Sequence, residues 1–284
     1  MIIDKLINVC KEKSFICVGL DFNYEYLPEY LSKKEISIDE KIFEFNKKII
    51  DDTKDLVGCY KLQIACYEAY GIEGLIAYKN TVKYLKENDL ITIGDVKRGD
   101  ILSTAKMYAK AHFENDFEVD FMTINPYMGE DSISPYYEYI KNKQKGIFVL
   151  LKTSNESSKD FQDIKIGEEV LYEKVGQKID SWSKEFIGES NYSSVGAVLG
   201  LTNEDDFKKL KKLKNTFFLV PGYGAQGGGL QQLKEFYSNG LLGVVNSSRG
   251  IIKAHKNICE DENFSKESRK AVLKMKEDLD KCLS

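Results

Sequence analysis

Residues 90–101 read Leu90-Ile91-Thr92-Ile93-Gly94-Asp95-Val96-Lys97-Arg98-Gly99-Asp100-Ile101. The first half is short, apolar and β-branched, which predicts a buried strand that ends where the charges begin. Residues two apart on a strand share a face, so Asp95 and Lys97 are expected to project together while Val96 turns away. Asp100 falls past the strand in a turn. Ser103 is placed to cap a helix, STAKMYAKAHF (103–113), with Thr104 in its first turn. Charges after a strand are commonly solvated loop. A lysine held between two carboxylates, however, keeps its proton and is aimed at one place, which makes it a proton donor. The Arg98-Gly99-Asp100 tripeptide matches an adhesion motif, but nothing else in the chain has an extracellular character.

Outward from this stretch, apolar runs of strand length recur: FICVGL (15–20), CYKLQI (59–64), LITIGD (90–95), DFMTI (120–124), GIFVLL (146–151), VGAVLGL (195–201), FFLV (217–220) and LLGVV (241–245). Helical patterns such as DEKIFEFNKKIIDDT (39–53), GLIAYKNTVKYLKEN (74–88) and EEVLYEKVGQKIDSWSKEF (168–186) lie between them. Eight such alternations predict an α/β fold of the (β/α)8 TIM-barrel type, with a doubly wound open sheet as the alternative. No Pro- or Gly-rich linker divides the chain, so residues 1–284 read as a single domain. The polar residues of chemical interest fall at or beyond the C-terminal ends of the strands. These ends share one rim in a parallel barrel, so distant residues converge. The segment from 155 to 192 is longer than a barrel connection needs, and its polar start, NESSKDFQDIKIG (155–167), reads as a surface loop or a lid.

Composition narrows the function. A chain of 284 residues with 42% hydrophobic content supports a sizeable core, and a net charge of −4 gives nucleic-acid binding no support. No run approaches the roughly 20 apolar residues of a membrane span, and the N-terminal MIIDKLINVCKEKSF has no signal-peptide pattern, so a soluble cytoplasmic protein is expected. The six cysteines form no CxxC pair, Cys17 and Cys59 fall inside strand-like runs, and with only two histidines no zinc site is expected. Basic residues are almost all lysine, with arginine only at positions 98, 249 and 269. Arg249 stands in a turn containing glycine and serine, where a fixed guanidinium fork suits a phosphate or carboxylate. Arg269, in the charged helix near the C-terminus, reads as solvated surface.

Two glycine-bearing strings follow the last strands. GYGAQG (222–227) matches GxGxxG, but a dinucleotide site also needs an acidic residue about 20 positions on, and residues 241–249 contain none. As a loop carrying the amide of Gln226, the string suits a flap that closes over a ligand. NSSRGII (246–252) puts Ser248, Arg249 and Gly250 where the backbone turns into a helix, a position suited to a phosphate dianion. Lys61, between Tyr60 and Leu62, is either a Schiff-base lysine or, more simply, the ion-pair partner of Asp95. Asp21 after Val-Gly-Leu is a turn residue or a ligand.

The sequence resembles the orotidine 5′-phosphate decarboxylase family over nearly its whole length. The resemblance is carried by VGLD (18–21), YKLQIACYEAYG (60–71), DVKRGDI (95–101), INPYMG (124–129), PGYGAQGG (221–228) and SSRGI (247–251). It implies a TIM-type barrel that decarboxylates orotidine 5′-monophosphate to UMP, the last step of de novo pyrimidine nucleotide synthesis, with neither metal nor organic cofactor. It also implies a homodimer with active sites at the subunit interface. Lys61, Asp95 and Lys97 match the charged network of one subunit, with Lys97 protonating C6 of the pyrimidine. Asp100, with Ile101 and Thr104, matches the residues donated across the interface. Asp21 matches the ribose contact, Ser154 the pyrimidine amide contact, Gln226 and Arg249 the phosphate grip, and Asn125 lies in the matching fourth-strand segment. The family often has Gly-Arg where this chain has Ser248-Arg249, which bears on the backbone contact beside the phosphate. A Mg2+-dependent sugar-phosphate lyase would share Asp-x-Lys-x-x-Asp, but the RGDI continuation, INPY and the glutamine flap favour orotidylate. A non-catalytic phosphate-binding barrel has no evident need of Asp95, Lys97 and Asp100 together.

Overall fold

Every apolar run named above forms a strand. In the computed structural model, which describes residues 1–201, 203–223 and 229–283, these are β1 (Ile16–Gly19), β2 (Cys59–Gln63), β3 (Thr92–Arg98), β4 (Phe121–Ile124), β5 (Gly146–Lys152), β6 (Val195–Leu199), β7 (Phe217–Pro221) and β8 (Leu242–Ser247). Each pairs in parallel with the next, and β8 closes on β1 through the pairs Ile16–Val245, Cys17–Asn246 and Val18–Ser247. The helices longer than a single turn are α1 (Ile2–Glu12), α2 (Ile38–Thr53), α3 (Gly71–Glu87), α4 (Leu102–Phe113), α5 (Tyr137–Lys143), α6 (Leu171–Ser183), α7 (Glu204–Leu210), α8 (Leu230–Ser238) and α9 (Ser265–Leu283). A helix follows every strand, so the fold is a (β/α)8 barrel and not an open sheet.

Alternation along the strands sorts the apolar residues into two bodies. Val18, Leu62, Met122, Val149, Ala197 and Val245 face outward and join the layer between strands and helices. Cys17, Cys59, Ile93, Phe121, Phe148 and Val198 face inward and fill the barrel, with the Phe121 and Phe148 rings 5.1 Å apart. Helix α1 belongs to this inner body: Ile3, Leu6 and Ile7 are buried against it and cap the barrel's N-terminal end. Each such side chain contributes about 1.5–3 kcal/mol of burial. All six cysteines are free thiols.

Three local expectations need correction. Strand β3 runs through the charges to Arg98, because Val96 still packs outward while Asp95 points into the barrel. Helix α4 starts at Leu102, so Ser103 lies inside its first turn; the cap is Ile101, whose carbonyl accepts the Thr104 and Ala105 N–H groups. Arg269 is not simply solvated: its guanidinium grips Asp55 with both terminal nitrogens, at 2.6 and 2.8 Å. The segment after β5 forms a short 3-10 turn (Glu156–Asp160) and a small hairpin of Lys165–Ile166 with Glu169–Val170 before α6. Among the described residues, no helix is long and apolar enough to cross a membrane.

Candidate active site

Two residues beyond the inward apolar layer, the same strands turn polar. Cys59 is followed on its face by Lys61, Ile93 by Asp95, Phe121 by Thr123 and Val244 by Asn246, and all four polar side chains are buried. The barrel therefore brings into contact residues that lie far apart in sequence.

Lys61 is the centre of the contact network. Its ammonium lies 2.9 Å from Asp21 Oδ1 and 3.1 Å from Asp95 Oδ2. Asp95 Oδ1 in turn accepts from Lys97 Nζ at 2.6 Å. The result is a chain of alternating sign, Asp21, Lys61, Asp95, Lys97, with no net charge. Burial opposes ionisation of Lys61, but Asp21 and then Asp95 outweigh it and hold its pKa above the usual lysine value. Burial likewise raises the Asp95 carboxyl, yet Lys61 and then Lys97 dominate and lower it to about 2. Both groups are thus charged at neutral pH. Lys61 makes an ion pair, in keeping with the simpler of its two readings.

Two further contacts complete Asp95. Gln63 Nε2 donates to its Oδ2 at 2.9 Å, and the Thr123 hydroxyl donates to its Oδ1 at 3.0 Å. Neither residue was singled out in the sequence. The only sign was the strand period, since Gln63 stands two residues after Lys61 and Thr123 two after the inward Phe121.

Lys97 differs from its neighbours in backbone as well as exposure. Its φ is +44°, a left-handed conformation that costs an ordinary L-residue roughly 1–2 kcal/mol. Its side chain is 44% exposed, and its ammonium is anchored by the buried Asp95.

At the opposite wall, Ser248 Oγ donates to Asp21 Oδ2 at 2.6 Å and accepts from Asn246 Nδ2 at 3.2 Å. The serine that stands where the resembling family often has glycine therefore ties the end of β8 to Asp21. Gly19 makes room for it, since a Cβ there would lie 1.9 Å from Ser248 Oγ. Arg249 opens a single helical turn (Arg249–Ile252) beside it. Of the three arginines, Arg98 contacts Glu68 and Arg269 holds Asp55, whereas Arg249 makes no ion pair among the described residues. A guanidinium next to exposed turn N–H groups is suited to an anion. Asp21, Lys61, Asp95, Ser248 and Arg249 line one cavity of about 320 Å³, a volume that fits a small ligand.

Lys97 meets this cavity only through Asp95, and the other expected residues that the structure describes do not line it. Asp100 accepts the Ile101 N–H at 2.8 Å, and Ile101 and Thr104 are exposed at the start of α4. Asn125 receives the Tyr127 N–H at 3.0 Å in the turn after β4. Ser154 lines a separate cleft with Lys152, Asn203 and Asp206. Gln226 falls outside the described residues.

A closed parallel barrel with a polar, charge-paired site on its C-terminal rim defines a (β/α)8-barrel enzyme. Comparison with known proteins makes this particular. The family model described as "Orotidine 5'-phosphate decarboxylase / HUMPS family" matches residues 14–260. The orotidine 5′-phosphate decarboxylase of Clostridium botulinum is 53% identical over 282 residues, covering 98% of this chain and 99% of the relative. That of Petrotoga mobilis is 53% identical over 283 residues, covering 98% of each. The solved structure of Leishmania donovani OMP decarboxylase superposes with a TM-score of 0.76 at 27% identity, covering 99% of this chain and 98% of that one. The chain belongs to the orotidine 5′-phosphate decarboxylase / HUMPS family.

Proposed function

We propose that this protein, over residues 1–284 as one catalytic unit, converts orotidine 5′-monophosphate to UMP by direct loss of CO2, with Lys97 as the proton donor. The observation that carries the reading is the Lys97–Asp95 contact of 2.6 Å, with Asp95 lining the same cavity as Arg249. The substrate phosphate lies against Arg249, with Ser248 beside it and Gln226 as a further contact. The ribose hydroxyls meet Asp21, and the pyrimidine amide meets Ser154, with Asn125 nearby. The substrate carboxylate then faces Asp95. Two like charges about 4 Å apart at an effective dielectric near 20 repel by roughly 4 kcal/mol, and this repulsion ends as CO2 leaves. The bond between C6 and the carboxyl carbon breaks, its electron pair stays on C6, and a proton from Lys97 Nζ forms the new C–H bond. Solvent then restores the lysine proton. A cation fixed in place before the charge develops lowers the barrier without reorganising.

The site works as part of a homodimer in the cytoplasm and without metal or cofactor. Asp100, Ile101 and Thr104 of each subunit reach the site of the other. Their exposure on the rim, with Leu102 and Met107 also exposed on α4, supports that reading.

The first test follows ultraviolet absorbance on adding orotidine 5′-monophosphate with EDTA present, with Lys97→Ala alongside. Rapid conversion that collapses in the variant is expected. No conversion by the folded, unsubstituted chain overturns the reading. Mixing Lys97→Ala with Asp100→Asn chains tests the shared site. Random pairing leaves one intact site in each mixed dimer, so roughly a quarter of full activity returns, against none for independent sites.

A further inference from the structure

Strand β3 carries two more residues than its partner β4 can pair. The register goes from Gly94 opposite Met122 to Arg98 opposite Ile124, so four steps along β3 match two along β4. Such a bulge leaves backbone N–H groups without ladder carbonyls. Here the Val96 and Lys97 N–H groups both donate to Thr123 Oγ1, each at 2.9 Å. The hydroxyl hydrogen goes to Asp95 Oδ1 at 3.0 Å. A hydroxyl has one hydrogen and two lone pairs, and all three are in use. Thr123 is fully buried on the inward face of β4.

These bonds close a ring: Lys97 N–H to Thr123, Thr123 to Asp95, and Asp95 to Lys97 Nζ. Lys97 is thereby held at both ends, by its backbone and by its ammonium. Left-handed backbone at a non-glycine residue persists only where the surroundings over-determine it, and among the described residues Thr123 is the side chain that grips the Lys97 N–H. A β-branched residue has a stiff χ1, which fixes the oxygen on the bulge.

We propose that Thr123 is a positioning residue of the reaction, whose hydroxyl sets the left-handed turn at Lys97 and the bearing of Asp95, and so aims the lysine ammonium. This rests on the reading of Lys97 as proton donor. Thr123 touches no substrate; it acts through Lys97 and Asp95.

The test compares Thr123→Val, which keeps the shape and removes the hydroxyl, with Thr123→Ser, which keeps the hydroxyl. In T123V, kcat is expected to fall about 100-fold, the scale of an ångström-sized misplacement, with KM within about threefold of the unsubstituted value. T123S is expected within about threefold in both. Should T123V not fold, T123C, with a thiol that accepts hydrogen bonds poorly, replaces it. A kcat in T123V within twofold of the original, or equal losses in T123S and T123V, overturns the proposal; the second result would assign the effect to packing. A crystal structure of T123V supplies a readout that needs no turnover: Lys97 leaves the left-handed region if the proposal holds, and stays near +44° if it fails. If the unsubstituted chain does not act on orotidylate, the functional reading falls while this structural comparison still decides the role of Thr123.

Discussion

Two layers of the barrel interior, one strand repeat apart, have opposite characters. The lower layer, with Cys59, Ile93, Phe121 and Phe148, is apolar and sealed by α1. The upper layer, with Lys61, Asp95, Thr123 and Asn246, is polar and buried. The same strands in the same register build both, so geometry alone does not separate stability from chemistry. On β2, β3 and β4 the side chain two positions further along does, and on β8 the step from Val244 to Asn246 does the same. Burying charge is costly unless it is paired, and the upper layer meets that condition with alternating signs and shared hydrogens.

The contrast can be broken by substitution. The largest effect is expected at Lys97, where alanine lowers kcat about 10⁴-fold while the unfolding midpoint changes little, because this lysine is half exposed. Steady-state kinetics and urea unfolding check it; a large stability loss instead would merge the layers. Phe148→Ala should behave oppositely, costing about 3–5 kcal/mol in urea unfolding with kcat within about twofold at low temperature.

How far these layers were legible in the sequence follows the same division. The apolar runs marked all eight strands, since a buried parallel strand must be apolar on both faces. The period of two brought Asp95 and Lys97 to one side, and the ion pair of Lys61 with Asp95 followed from charge. Gln63 and Thr123 escaped notice because an uncharged polar residue in an apolar run looks the same whether it serves the ladder, a neighbour or the site. The bulge was hidden for a related reason: it depends on a count of residues across two strands, which no single strand contains. At the start of α4, Ser103 is a good cap by type, whereas the chain uses the Ile101 carbonyl. The N-terminal segment gave no sign that it would plug the barrel.

Smaller effects sharpen the comparison within the upper layer. Arg249→Ala should raise KM for the phosphorylated substrate about 30–100-fold, the value of a charge-assisted contact, and leave stability unchanged. Initial rates over a range of substrate concentration measure it. The smallest effect is a titration. The carboxyl of Asp95 is lowered from 3.8 to about 2 by Lys61 and Lys97, against the opposing effect of burial. Its contribution of about 2 kcal/mol is therefore complete above pH 4 and is lost as the pH falls toward about 2. Unfolding free energies of the chain and of Asp95→Asn should converge over that acid range, and a constant gap would show that Asp95 is not the titrating group.

Helix α1 has a consequence for traffic. With Ile3, Leu6 and Ile7 packed into one end of the barrel, that end is shut, and the C-terminal rim is the door to the site. On the proposed reaction, nucleotide, carbon dioxide and the replacement proton all pass through the same door. Release of the gas and of the product then shares that rim with entry of the next substrate and with the solvent that would restore the Lys97 proton.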